Sequence, residues 1–343
     1  MADATTKTGK KSFLKSRAGL AIIAVVALAL LGGAYKSVQA APEPALKEVR
    51  VDFAYYSPSS LVLKRFGWLE EALKPAGTEV KWVQSAGSNR ALEYLNGGSV
   101  DFGSTAGLAA LLSKANGNPI KAVYVYSRPE WTALAVSKDS KIKSVEELRG
   151  KKIAATKGTD PYLFLLRSLH KFGVKKSEVE IVHLQHADGR AALEKGDVDA
   201  WAGLDPHLAS SQLQAGSKLI YRNVNFNTYG FLNVNETFAK QHPSVVKTVI
   251  AAYEKARLWI IAHPEEAAKI QSEEAKIDLA VAKLQLGERT DLSNPKIGKE
   301  HVDALTVAAP ILLEEELVKP GTDLNKVIAD LIDPSFVQAV IKK

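Results

Sequence analysis

Small hydroxyl and glycine residues follow several predicted strands at the points where those strands end. Four such groups stand between a strand and the next helix: Ser57 with Ser59, Gly87 with Ser88 and Asn89, Ser104 with Thr105, and Gly158 with Thr159. Any one of them is explained as a helix N-cap. Because the carboxyl ends of parallel strands share one edge of a sheet, four groups at that edge indicate a binding site.

These groups share the ability to bind a negatively charged oxygen. Hydroxyls donate hydrogen bonds, and the first N–H groups of a helix are unpaired and lie at its positive end. Such a site needs no cluster of Arg and Lys. Tyr56, Trp131, Trp201 and Tyr229 are candidates to pack on an organic tail, although each also fits a core. The sequence therefore predicts a site for a small organic anion.

Motifs for catalysis are missing from the chain. It contains no Cys, which excludes thiolate nucleophiles, thiolate zinc sites and disulfides. The nucleophile elbow, the phosphate loop and the dinucleotide fingerprint do not occur after a predicted strand. His183 and His186 could pair on a metal, but hydrogen-bonded or solvent-facing histidines are the simpler interpretation. We predict a protein that is not an enzyme and that uses neither a metal nor a cofactor.

Predicted strands and helices alternate along most of the chain, which is typical of an α/β protein. Strands are predicted at 48–54, 80–83, 100–103, 120–126, 131–136, 152–155, 180–184, 198–201 and 231–234. From Pro243 onward the pattern is mainly that of amphipathic helices. We expect mostly parallel sheets with helices on both faces.

A repeated pattern divides the chain into two similar lobes. LEYLNGGSVDFG at 92–103 and LEKGDVDAWAG at 193–203 both contain a helix end, a Gly turn and a short strand. The predicted parts are lobe 1 from 42–131 plus 235–343, lobe 2 from 137–228, and crossover strands at 132–136 and 229–234. Two crossovers form a hinge, and the cleft between the lobes is the expected ligand site.

The first forty residues have the pattern of a secretory signal peptide. A basic segment ends at Arg17, and an uncharged apolar run from Ala18 to Ala34 leads to small residues. We expect cleavage after Ala40 and a periplasmic mature protein. An uncleaved membrane anchor remains the alternative, because the run approaches the lower length limit for a bilayer span.

Positive charge is concentrated in the same segment. The formal net charge is +7, and residues 1–40 contain six Lys or Arg but one Asp, so most of the excess lies there. A nucleic-acid-binding protein carries its basic excess in the folded domain. We therefore predict no nucleic-acid partner.

The segment ADGRAALEKGDVDAWAGLDP at 187–206 resembles the periplasmic binding proteins of ABC importers for aliphatic sulfonates, within the sulfonate/nitrate/taurine family. LEYLNGGSVDFGST at 92–105, KGT at 157–159, LLRSL at 165–169 and EELV at 315–318 are similar to the same family. The resemblance covers nearly all of the mature chain. It implies a type II periplasmic-binding-protein fold of two α/β lobes joined by two crossover strands, and delivery of the ligand to a membrane permease and its ATPase.

The resemblance also implies a set of ligand contacts. These are Ser57, Ser59, Gly87, Ser88, Asn89, Ser104, Thr105, Gly158, Thr159, Trp201 and Asp205. The chain departs from the family in its first loop, YYSPSS, where many members have glycine, and at Gly203-Leu204, where a bulkier residue is common. An acidic Asp205 is unexpected beside an anion. It would bond a serine or a backbone donor, or else face an amine such as that of taurine.

The predicted function is binding without chemistry, by a monomer that closes on an aliphatic sulfonate. Taurine, nitrate and a pyrimidine precursor are alternative ligands of the same fold. Enzymes of thiamine-pyrimidine synthesis and porphobilinogen deaminase-like proteins use similar lobes, but they would need a reactive Cys, Lys or His and no export signal. A membrane-anchored sensor is the third class, if the apolar run is not cleaved.

Overall fold

Two β-sheets and their surrounding helices make up the protein in a computed structural model that describes residues 43–342. The predicted signal peptide, with its expected cleavage after Ala40, lies outside the described residues. Between residues 43 and 342, no helix combines the length and the apolar character that crossing a bilayer requires.

The strands are β1 (Glu48–Phe53), β2 (Glu79–Gln84), β3 (Phe102–Ala106), β4 (Ile120–Pro129), β5 (Thr132–Val136), β6 (Lys152–Ala155), β7 (Glu180–His183), β8 (Ala200–Leu204), β9 (Lys218–Arg222), β10 (Gly230–Asn235) and β11 (Thr290–Asp291). The α-helices are α1 (Pro58–Phe66), α2 (Trp68–Leu73), α3 (Ser88–Asn96), α4 (Gly107–Ala115), α5 (Asp160–Lys171), α6 (His186–Lys195), α7 (His207–Ser210), α8 (Glu236–Gln241), α9 (Pro243–Ala262), α10 (Pro264–Ala275), α11 (Leu279–Lys283), α12 (Lys299–Ala308), α13 (Pro310–Glu314), α14 (Leu324–Leu331) and α15 (Ser335–Val340).

Both sheets combine parallel strands with an inserted antiparallel one. The first sheet has the order β11-β4-β10-β3-β1-β2, with β1, β2 and β3 parallel and β10 antiparallel between β3 and β4. The second has the order β7-β6-β8-β5-β9, with β6, β7 and β8 parallel and β5 antiparallel between β8 and β9. The α/β class that the sequence predicts is confirmed.

The chain passes between the sheets twice, through residues 130–131 and residues 223–229. The predicted crossover strands at 132–136 and 229–234 coincide with β5 and with most of β10, one strand in each sheet. Both strands are buried and pair with a neighbour on either side, which holds them within a sheet. We call residues 43–129 and 230–342 the first half, and residues 132–222 the second half.

Local chemistry accounts for two boundaries that differ from the prediction. A single helix is predicted through Leu73, but Gly67 adopts a left-handed conformation with φ 64° and separates α1 from α2. Ser104 and Thr105 are predicted to open a helix, but they belong to β3, and α4 begins at Gly107. The sequence prediction also lacked β9 and the short β11.

The C-terminal region is helical because its apolar residues recur at helical spacing. In α9, Val246, Val249, Ile250 and Tyr253 are buried at intervals of three and four residues, which forms a stripe facing the core. Pro243 occupies the first turn, where its missing N–H leaves no bond unmade. This packing places α9 against β4 and α1 in the first half.

Candidate functional site

A cavity of about 220 Å³ lies between the two halves, where the carboxyl ends of β1 and β2 face those of β7 and β8. It is lined by Tyr55, Tyr56, Gln84, Ser85, Ala86, Gln185, His186, Ala187, Leu204, Asp205, Pro206 and His207. Open α/β sheets bind their ligands at this edge.

A larger groove of about 550 Å³ runs along α9, α10 and α11. Among the described residues, none of the side chains that line this groove is buried without a hydrogen-bond partner. We therefore assign the candidate site to the cavity between the halves.

The first half supplies buried hydroxyls at the start of α1. Ser57 directly follows the cavity-lining Tyr56, and Ser59 comes two residues later. Both are 0% exposed and lie behind the cavity wall, since neither lines the cavity itself. Neither Oγ has a hydrogen-bond partner within residues 43–342. Ser60, in contrast, donates to the Ser57 carbonyl over 2.7 Å and accepts from the Ala54 N–H over 3.1 Å. Since an unpaired buried hydroxyl costs free energy, Ser57 and Ser59 have the properties of ligand donors.

Ser85 is a third such hydroxyl, and it lines the cavity itself. Its Oγ makes no hydrogen bond of good geometry in the described part of the chain. It nevertheless lies close enough to Asp52 to stabilise that carboxylate. Burial raises the pKa of Asp52 to about 7, because desolvation outweighs the bonds from Ser104 and Ser85. Much of the Asp52 population is therefore uncharged near neutral pH, which limits its repulsion of an anion.

The start of α3 adds backbone donors. Gly87 is the N-cap of this nine-residue helix, and the N–H groups of Gly87, Ser88 and Asn89 make no hydrogen bond to another described residue. The hydroxyl of Ser88 is already engaged, because it accepts from the Ala106 N–H over 3.0 Å. Free N–H groups at a helix N-terminus favour an anion.

Two glycines bring the halves close together. A Cβ on Gly87 would lie 2.8 Å from both Asn89 Oδ1 and His186 Nε2, so a larger residue would push His186 away. Gly158 has φ 77°, and its added Cβ would lie 3.6 Å from Asn89 Cβ. The structure therefore brings Gly87, Asn89 and Gly158 close together.

Thr159 is next to Gly158, and its hydroxyl proton is already engaged in a hydrogen bond. Its Oγ1 donates to the Thr156 carbonyl over 2.6 Å, and the residue is 0% exposed. A ligand could take this donor only if the turn lost its own bond. This bond stabilises the turn that contains Gly158.

Ser104 and Thr105 are held within the first sheet. The Ser104 N–H donates to Asp52 Oδ1 over 2.8 Å, and its carbonyl accepts from the Tyr56 hydroxyl over 2.9 Å. Thr105 Oγ1 accepts from the Asn233 side-chain amide over 2.8 Å. Neither residue lines the cavity, and the buried Ser104 Oγ, like those of Ser57 and Ser59, has no hydrogen-bond partner within residues 43–342. Both residues stay predicted ligand contacts.

Trp201 and Tyr229 also lie elsewhere. Trp201 is 0% exposed and belongs to a small core of the second half, and its Nε1 would lie 2.7 Å from a Cβ on Gly189 of α6. The Tyr229 ring packs on His301 with centroids 4.3 Å apart. Its carbonyl accepts from the Gly107 N–H over 2.9 Å, which closes the start of α4. Neither aromatic residue contacts the cavity.

Asp205 lines the cavity, but its charge is compensated by Arg289. The two form a buried ion pair with Nη1–Oδ1 and Nη1–Oδ2 distances of 3.0 and 3.2 Å, and Oδ1 accepts from the Ala209 N–H over 2.9 Å. Burial raises the pKa of Asp205 to about 6, and Arg289 opposes that shift. The pair joins the two halves, because Asp205 lies in the second half and Arg289 in the first. The Arg289 carbonyl also accepts from the N–H of Glu130, on the first chain crossing.

A second buried carboxylate ties the two chain crossings together. Asp160, at the start of α5, accepts from Trp131 Nε1 over 2.9 Å, from the Thr228 hydroxyl over 2.8 Å and from the Thr228 N–H over 3.0 Å. Trp131 and Thr228 lie on the two different crossings. The Asp160 carboxylate therefore links both crossings to the start of α5.

His186 is the residue whose role the sequence analysis missed most clearly. It is 1% exposed, lines the cavity, and has no hydrogen-bond partner for Nε2 in the described chain. Burial lowers its pKa to about 3, with a smaller contribution from His207. His183 is exposed and packs on Tyr162 instead of pairing with His186.

Other lining residues also went unpredicted. They are Tyr55, Gln84, Ser85, Gln185, His207 and, behind Asp205, Arg289. Ser85 carries the same signal as Gly87, a small polar residue after β2. Arg289 carries no such signal, because it is 84 positions from Asp205 in the chain.

Comparison with known proteins gives relatives over most of the chain. A protein of Bacillus subtilis named for aliphatic sulfonate binding is 27% identical over 94% of this chain and 96% of its own length. The alkanesulfonate-binding protein SsuA from Xanthomonas axonopodis pv. citri, solved bound to MOPS, superposes with a TM-score of 0.77 at 25% identity, over 85% of this chain and 99% of that one.

The fold extends to more distant proteins. The desulfurization enzyme DSZB superposes with a TM-score of 0.63 at 16% identity, over 86% of this chain and 98% of that one, which is a likeness of fold alone. These matches confirm the predicted periplasmic-binding-protein fold. The family model described as NMT1/THI5 like matches residues 40–267. The chain belongs to the NMT1/THI5-like family.

Proposed function

We propose that this protein is the extracytoplasmic solute-binding component of an ABC importer, and that it binds a small sulfonate-type organic anion in the cavity between its halves. One observation carries the proposal: hydroxyls and backbone N–H groups without hydrogen-bond partners in the described chain lie at the first-half edge of this cavity. The names of the relatives, which refer to sulfonates, support the same ligand class.

The electrostatics of the cavity fit a single negative group. None of the twelve lining residues is Lys or Arg. The cationic Arg289 behind the wall is neutralised by Asp205. Recognition would therefore rest on Ser57, Ser59, Ser85 and the start of α3. Charge-assisted hydrogen bonds from such donors are worth more than neutral ones.

Closure of the two halves would complete the site. Gly87 with His186, and Gly158 with Asn89, bring the two halves into close approach beside the cavity, so both halves would contact an enclosed ligand. The hinge is placed at residues 130–131 and 223–229, around the Asp160 cluster. A ligand stabilises the closed form only by the difference between its affinities for the closed and open forms.

Binding without chemistry is favoured over catalysis. A hydrolytic serine needs a base within hydrogen-bond reach. In the described chain, no hydrogen bond joins Ser57, Ser59 or Ser85 to His186. The closed protein would pass its solute to a permease driven by an ATPase, act in the periplasm after removal of residues 1–40, and remain a monomer in solution.

Isothermal titration calorimetry tests this function. Ethanesulfonate should bind the wild-type protein, whereas acetate and nitrate should bind more weakly or not at all. Ser85→Ala should weaken ethanesulfonate binding about tenfold, because a charged acceptor loses a donor. Ser168→Ala is the matched control, since that buried hydroxyl donates to the Phe164 carbonyl within α5. Absence of sulfonate binding, or equal loss in both variants, would reject the proposal.

A further inference from the structure

His186 has a defined tautomer, which its neighbours determine. The Thr156 hydroxyl lies 2.7 Å from the Leu184 carbonyl, and a carbonyl can only accept, so the hydroxyl proton points there. His186 Nδ1 lies 3.1 Å from the same Thr156 Oγ1. Because the Thr156 hydroxyl already donates its proton to the Leu184 carbonyl, Nδ1 must carry a hydrogen and donate it to Thr156 Oγ1. Nε2 of the neutral ring is therefore a hydrogen-bond acceptor.

This acceptor lies at the cavity and is unpaired. Nε2 is buried without a hydrogen-bond partner in the described chain, and it faces the position of Gly87 in the opposite half. Two further acceptor oxygens are buried without a partner in the described chain. They are Gln185 Oε1, next to His186 in the sequence, and Asn89 Oδ1, which like His186 Nε2 would lie 2.8 Å from a Cβ on Gly87. The structure thus presents a lone pair where the ligand would be enclosed.

Protonation does not convert this acceptor to a donor at ordinary pH. Burial lowers the pKa of His186 to about 3 and that of its neighbour His207 to about 4. Arg190 lies near His207 and lowers its pKa further, while Asp205 is held by Arg289. A sulfonate oxygen placed against Nε2 would meet a lone pair and be repelled.

We propose that His186 Nε2 selects, among short sulfonates, those that carry a hydroxyl or ammonium donor at the end opposite the anionic group. The inference rests on the proposed function and deepens it. The anionic head would bind at the first-half donors, and the far end of the ligand would donate to His186. A cavity of about 220 Å³ accommodates such a ligand, since about 150 Å³ suffices for benzene.

Three probes of equal chain length test the selection at pH 7: ethanesulfonate, 2-hydroxyethanesulfonate and 2-aminoethanesulfonate. The wild-type protein should bind the two donor-bearing probes about tenfold more tightly than ethanesulfonate, as one added hydrogen bond predicts. His186→Phe should abolish this preference, so that the three probes bind with similar affinity, whereas His186→Gln should restore part of it. His183→Phe is the matched control, because it makes the same substitution at an exposed histidine outside the cavity.

Nitrogen NMR of the wild-type protein with labelled histidine measures the protonation of His186 Nε2 directly. This measurement does not depend on whether a variant folds. Nε2 should be unprotonated in the free protein and in both donor-bearing complexes, and its resonance should shift on binding. Equal affinity for the three probes, a preference that survives in His186→Phe, or proton uptake to Nε2 on binding ethanesulfonate would overturn the inference while leaving sulfonate binding intact. If none of the three probes binds, the proposed function fails and the inference fails with it.

Discussion

The two edges of the cavity differ in how far the chain satisfies its own polar groups. The first-half edge leaves the hydroxyls of Ser57 and Ser59 without partners, and that of Ser85 without a hydrogen bond of good geometry. At the second-half edge, the Thr159 hydroxyl bonds within its own turn and Asp205 bonds Arg289. The acceptor Nε2 of His186, on the same edge, has no partner in the described chain. We propose on this basis that the first half binds the anionic group and the second half contacts the remainder of the ligand.

Breaking the Asp205–Arg289 pair should have the largest effect, and it acts on stability. Arg289→Leu leaves a buried carboxylate without its cation and should lower the free energy of unfolding by about 3–5 kcal/mol, measured by urea denaturation. Lys299→Ala, which removes an exposed pair with Asp303, should cost less than about 1 kcal/mol. Similar losses in the two variants would mean that the buried pair does not join the halves.

Removing hydroxyls from the two edges sharpens the comparison directly. Ser57→Ala combined with Ser59→Ala should weaken sulfonate binding by at least about tenfold, because a charged ligand loses donors. Thr159→Ala should leave calorimetric affinity within about twofold and lower the free energy of unfolding by about 1 kcal/mol through its lost turn bond. The reverse pattern would assign the anion to the second half.

Acidification should reveal the buried, neutral state of His186. Its folded pKa is about 3 and the ordinary value is 6.5, so between these values the unfolded chain binds more protons and stability falls as pH falls. Wild-type protein should lose up to about 1.4 kcal/mol per pH unit relative to His186→Phe between pH 6 and 4. Comparing the two proteins cancels the opposite contributions of Asp52 and Asp205, whose raised folded pKa values stabilise the protein as pH falls. Parallel stability curves would contradict a buried, uncharged ring.

Changing Tyr229 should have the smallest effect. Tyr229→Phe keeps the ring that packs on His301 and the carbonyl that closes α4. Affinity for 2-hydroxyethanesulfonate should stay within about twofold in calorimetry, since a group outside the cavity makes no ligand contact. A tenfold loss would extend the site to the second chain crossing.

Local signals predicted much of the fold and part of the site. Alternating polarity and Gly turns marked most strands, and small residues after β1 and β2 marked Ser57, Ser59 and Gly87. The same signal misplaced Ser104 and Thr105, because β3 continues through them before α4 begins. A hydroxyl in a strand and one at a helix start look alike until the pairing of the strand is known.

Groups that depend on distant partners were beyond local reasoning. Asp205 was difficult to reconcile with an anion because Arg289, which neutralises it, lies far along the chain. The role of His186 depends on Thr156 and Leu184, which come together only when β6 and β7 pair. Trp201 was indistinguishable from a ligand contact until its packing under α6 was known.

A crystal structure of the protein with 2-hydroxyethanesulfonate tests the central claim most directly. We predict sulfonate oxygens within hydrogen-bond distance of Ser57, Ser59 or Ser85 and of the α3 N–H groups, with the ligand hydroxyl donating to His186 Nε2. A ligand bound in the groove along α9, or one whose sulfonate group rests on His186, would contradict the account.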